Sequence, residues 1–166
     1  ECIGTNVGIL HQTLEQLQTY VGLDSEITET NVTDALRLTK IHSVFELTDA
    51  LGKKDLPRAS HLVIQLLDAG DNALMLVVMM ARQIRLLLST HTLLANSCPQ
   101  RQLPRELGVQ PFVVKSLLEQ VQFYSQPQLR KALTVLGDMD YALKSSRLHQ
   151  SLVMEQGLLK LIGEES

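Results

Sequence analysis

Arg82, Gln83 and Arg85 interrupt a stretch that is otherwise apolar, and their types and spacing make them the residues most able to do chemistry. Arg82 and Arg85 lie three positions apart, so on a helix they share one side. Two uses fit such a belt. It can close on a carboxylate of a neighbouring helix, or it can face another subunit. The internal pair is the expected arrangement, with Asp140 as the partner and Lys144 in the same candidate belt. Removing one member of a buried pair costs about 3–5 kcal/mol, so the two uses predict different mutant behaviour.

Other side chains give weaker patterns. The histidines (His11, His42, His61, His91, His149) are scattered, with none three or four residues from another, so they read as solvent-facing or half-buried. Cys2 and Cys98 fit no metal or redox spacing. Asp138 and Asp140 are two apart and face different directions on a helix, which excludes a paired acid and base. No glycine-rich phosphate loop and no local nucleophile signature occurs. Catalytic, cofactor-binding and metal-ligating residues are therefore all predicted to be none, and no intrinsic active site is expected. Pro104 to Tyr124 offers an alternative, a helix-turn-helix-like DNA reader turning at Leu107-Gly108-Val109. Its second helix would reach out with Lys115, Ser116, Glu119 and Gln120, and one cation is thin for phosphate contact.

The elements that position these residues all have helical periodicity. Asn6 can cap a helix to about Tyr20, with Val7, Leu10, Leu14 and Leu17 on one stripe, and Thr28 can cap a short one to Leu36. Residues 37–42 read as a linker. Ser43 and Glu46 form a predicted capping box for a helix ended by Gly52. Asp55 caps the next, with Ala59, Leu62, Val63, Leu66 and Leu67 inward and Gly70 closing it. Asp71 or Asn72 opens a long helix to about Ala95; being apolar around its circumference, it is expected to be buried on nearly all sides. Asn96 to Leu103 reads as a loop, Pro104–Leu107 as a short helix, and Pro111 as the start of another with Val113, Val114, Leu117, Leu118 and Val121 inward. Ser125 and Gln128 form a second capping box, opening a helix with Leu129, Ala132, Leu133, Leu136 and Leu143 on one face. A last helix spans about Gln150 to Ile162 and stops at Gly163. The fold class is all-α, a compact multi-helix bundle with short connections.

Composition agrees. The 166 residues are 45% hydrophobic with only 4% aromatic and no Trp, which favours helix packing over a sandwich. The formal charge of −3 gives no global basic field for nucleic acid or an anionic membrane. The charge is uneven: residues 1–40 carry Arg37 and Lys40 against six Asp/Glu, whereas 41–166 are nearly balanced. The longest apolar run, Ala73 to Ala81, is short of the roughly 20 residues of a spanning helix. Two distant cysteines suit a reduced, cytoplasmic setting. The chain begins Glu1-Cys2-Ile3 without Met and is expected to be a fragment.

Four blocks in register carry a resemblance. Val44-Phe45-Glu46-Leu47-Thr48-Asp49-Ala50-Leu51, Ala81-Arg82-Gln83-Ile84-Arg85-Leu86-Leu87, Leu107-Gly108-Val109-Gln110-Pro111-Phe112-Val113 and Asp140-Tyr141-Ala142-Leu143-Lys144-Ser145 together resemble the C-terminal domain of the bacterial DNA polymerase III delta subunit. Residues 4–36 resemble the end of the lid module before it, recognisably at 6–17 and Ile27-Thr28, with Gln18 where the family leads one to expect Lys. The resemblance implies a clamp-loader subunit in DNA replication, within the DNA polymerase III holoenzyme, a DNA-directed DNA polymerase. It implies a lid remnant at 1–40 and a helical collar domain at 41–166 that associates with the gamma/tau and delta-prime subunits. The sliding clamp would be gripped by an upstream region, DNA reached indirectly through the complex, and no cofactor or membrane involved.

Overall fold

The computed structural model describes residues 43–163. The helices predicted in residues 1–36, the linker at 37–42 and the lid assignment at 1–40 lie outside the described residues. Among those described there are seven α-helices and no strand. They are α1 (43–52), α2 (Leu56–Asp68), α3 (Ala73–Ala95), α4 (Leu103–Leu107), α5 (Pro111–Gln120), α6 (Gln126–Ser145) and α7 (Gln150–Ile162). Short 3₁₀ turns at Gln100–Gln102 and Val121–Phe123 lead into α4 and out of α5.

Local chemistry explains most starts. Asp55 accepts from the Arg58 amide at 3.1 Å, with Pro57 in the first turn where its missing N–H costs nothing. Asn72 accepts from the Leu74 amide at 2.8 Å. The Ser125–Gln128 capping box is complete in both directions, at 2.9 and 3.4 Å. His149 caps α7 through Nδ1, a role its scattered position did not suggest. Ser43 is already helical, inside α1 rather than at the cap position predicted for it.

The two longest helices, α3 and α6, pack on each other and form the centre. α7 packs on α6 and also on α2, while the α4–α5 corner lies against α3. The α2 stripe Ala59, Leu62, Val63 and Leu66 is buried as predicted, and so are Leu129, Ala132 and Leu136 of α6. Gly157 of α7 lies so close to Met139 of α6 that a Cβ there would overlap the Met139 thioether.

Helix α3 differs from its expectation. One face, Leu76, Met80, Ile84 and Leu87, is fully buried, but Met75 and Val78 are exposed at 47% and 54%. Apolarity around the circumference therefore marks a buried face plus an uncovered one. As an unbroken helix, α3 is long and apolar enough to cross a membrane by length and composition, a test that the nine-residue apolar run did not anticipate. In this fold it serves as the core helix.

Candidate functional site

The polar belt of α3 splits in two. Arg82 and Arg85 are exposed, and neither makes an ion pair among the described residues. The expected internal pair with Asp140 does not form. Asp140 instead binds Lys144 at 2.6 Å, one turn along α6. Both ends of that bridge are solvated, so it contributes little, typically under about 1 kcal/mol. The physical reason is position. Arg82 and Arg85 fall on the α3 side away from its buried face, while α6 packs against that buried face.

Gln83 turns inward and finds a partner that the sequence did not suggest. Its Nε2 donates to Gln120 Oε1 at 2.5 Å. Gln120 is only 1% exposed and spends both amide protons, donating to Asp49 Oδ1 at 2.9 Å and to Ser116 Oγ at 2.8 Å. Ser116 Oγ donates to the same Asp49 oxygen at 3.4 Å, and Lys53 Nζ meets the other at 2.9 Å. Every polar atom of the Gln120 side chain is thus matched, as a buried amide requires. Residues from α1, α3 and α5 meet at this one point.

Gly52 makes room for it. Gly52 is the last helical residue of α1, as its type predicts, and it is also buried: a Cβ on it would overlap the Gln120 amide. The left-handed residue that turns the chain after α1 is Lys54, with φ of 58°. Its ammonium lies 4.7 Å from the centre of the Tyr124 ring, within cation–π range. Tyr124 is buried, and its hydroxyl donates to the Leu51 carbonyl at 2.5 Å, a second donor to an acceptor that also takes the Lys54 amide at 3.1 Å.

Burial pushes the Tyr124 phenol well above its ordinary value. The sign of the linkage follows. Above about pH 10 the unfolded chain loses this proton while the folded chain holds it, so stability falls as pH rises. Tyr124→Phe should remove that share of the decline while costing about 1 kcal/mol at neutral pH for the lost bond. Urea midpoints of both proteins between about pH 8 and pH 11 check this. Parallel curves for the two would refute it.

The same network answers the DNA-reading alternative. Of the four side chains offered by α5, Gln120 is buried and Ser116 faces Asp49, which leaves Lys115 and Glu119 exposed. One cation beside one anion makes no phosphate-binding face, and α4 has only five residues. Among the histidines, His149 caps α7, His91 Nδ1 lies 3.4 Å from Gln126 Nε2, and His61 is exposed. His11, His42 and Cys2 lie outside the described residues. Among those described, no three His, Cys, Asp or Glu side chains gather as a metal site.

Above the network runs a groove of about 730 Å³ between α1, α3 and α5. Phe45, Met75 and Phe112 stand around it, 58%, 47% and 73% exposed, and Asp49, Gln83, Ser116 and Gln120 lie among its lining residues. A smaller hollow of about 180 Å³ adjoins it and shares Arg82 and Leu86.

Comparison with known proteins gives one consistent result. Residues 41–161 match the family model for the DNA polymerase III delta subunit, C-terminal domain. The chain is 25% identical over 160 residues to the DNA polymerase III subunit delta of Bacillus subtilis (strain 168), covering 96% of this chain and 46% of that protein. A solved Bacillus subtilis DNA clamp loader delta protein superposes with a TM-score of 0.69 at 25% identity, over 95% of this chain and 47% of the other. The chain thus spans about half the length of the relatives it matches.

Proposed function

Because the chain belongs to the DNA polymerase III delta subunit family through its C-terminal domain, we propose that residues 41–166 are the collar by which such a subunit joins its clamp loader. Residues 1–40 are then the end of the lid module before it. The observation that carries this reading is the family match, which runs through all seven described helices. The geometry supports it. The inward polar side chains hold α1, α3 and α5 together, while large apolar side chains and two arginines remain at the surface.

The mechanism of such a domain is association, with no cofactor. Its partners are the gamma/tau and delta-prime subunits, in the cytoplasm. Gripping the sliding clamp falls to the part of a delta subunit's length that these residues do not span, and DNA is reached through the assembled complex. The test is reconstitution: the full-length subunit mixed with the other loader subunits should co-elute as one complex. Duplex DNA is assayed alongside at low and high salt. Failure to join the subunits, with salt-sensitive duplex binding by the delta chain alone, would overturn the reading.

A further inference from the structure

Phe45, Met75 and Phe112 come from three different helices and stand around one groove, each about half exposed or more. Folded chains rarely leave so much apolar surface around a concavity unless something covers it. The walls are fixed in advance, because the Gln83–Gln120–Asp49 network ties α1, α3 and α5 together behind them. A groove whose walls are already ordered loses little entropy on binding. At one end the groove continues into the hollow of Arg82 and Arg85, which make no ion pair among the described residues. Glu106 lines that hollow but pairs with neither arginine.

We propose that this groove seats an amphipathic helix of the neighbouring clamp-loader subunit, one that brings large apolar side chains to Phe45, Met75 and Phe112 and a carboxylate to Arg82 and Arg85. The inference rests on the collar reading above and assigns it a face. A groove between helices accepts a helix by anchors at i, i+3 or i+4, and i+7. A guanidinium favours a carboxylate, which it grips with two parallel hydrogen bonds.

The experiment uses full-length delta subunit in the reconstituted loader. A photocrosslinking phenylalanine analogue replaces Phe112, which is exposed enough to leave the fold intact. Irradiation should link it to another loader subunit. In parallel, Arg82→Glu combined with Arg85→Glu should weaken assembly about tenfold or more at low salt, with a smaller effect at high salt and an unchanged melting temperature. A crosslink to residues 1–42 of the same chain, to a second delta subunit or to DNA overturns the proposal. So does an intact complex with no crosslink at position 112. If wild-type delta does not join the other subunits, the collar reading itself fails. If it joins them and only the groove experiments fail, the collar reading stands and the assigned face is wrong.

Discussion

Gly52→Ala destabilises the domain by roughly 2–4 kcal/mol, although alanine is the better helix former by about 1 kcal/mol. The added methyl overlaps the Gln120 amide, which cannot swing aside without giving up its bonds to Gln83, Asp49 and Ser116. Overpacking costs about 1–3 kcal/mol, and leaving the buried amide partly unmatched costs a similar amount. Urea denaturation measures the loss. The attribution to Gln120 is checked by a double-mutant cycle, because Gln120→Ala opens the space that the new methyl needs. The double variant should then be clearly more stable than the sum of the two single losses predicts. Strict additivity would mean that Gly52 is required for some other reason.

Neighbouring substitutions on α3 should separate by several kcal/mol. Ile84→Ala removes a fully buried side chain from the centre of the bundle and should cost about 2–5 kcal/mol. Arg85→Ala, one position on, should fall within about 0.5 kcal/mol, because the guanidinium has no ion-pair partner among the described residues. Both values come from chemical denaturation under the same conditions. A loss near 3 kcal/mol for Arg85→Ala would restore an internal ion pair and take that cation away from the proposed docking face.

The contrast shows which signals the sequence carries clearly. Asp55, Asn72 and the Ser125–Gln128 pair announce helix starts because capping depends on residues two or three apart. The stripes of α2 and α6 are legible because period alone sets a helix face. Helix α3 is harder: with apolar residues on every side, period does not say which face the neighbours leave bare, and Met75 and Val78 are the result. Asp140 was a reasonable partner for Arg85 by charge, but pairing depends on which face of α3 meets α6, and no local spacing encodes that.

The network was partly in view. Gln120 lies three residues after Leu117, on the inward stripe of α5, so a polar residue there signalled a buried partner rather than reach towards DNA. Gly52 is legible as the end of α1 because glycine ends helices often. Its second role depends on a side chain 68 positions later, which only the fold brings near. For the same reason the groove could not be anticipated. Phe45, Met75 and Phe112 stand in separate blocks of sequence, and nothing local says that they share a concavity.

The ties that hold α1 also set an order in time. Asp49 waits for Gln120, 71 residues further on, and the Leu51 carbonyl waits for Tyr124, 73 residues further on. At ribosomal speeds of about 5–20 residues per second, that interval is roughly 4–15 s. Through it, Asp49 has only Lys53, one turn on, the Leu51 carbonyl has only the Lys54 amide, and the wall that Phe45 provides is not yet tied to α5. The earliest of the seven helices to leave the ribosome is thus among the last to be fixed, and a nascent chain halted before Tyr124 holds a hydrophobic surface that its own fold cannot yet organise.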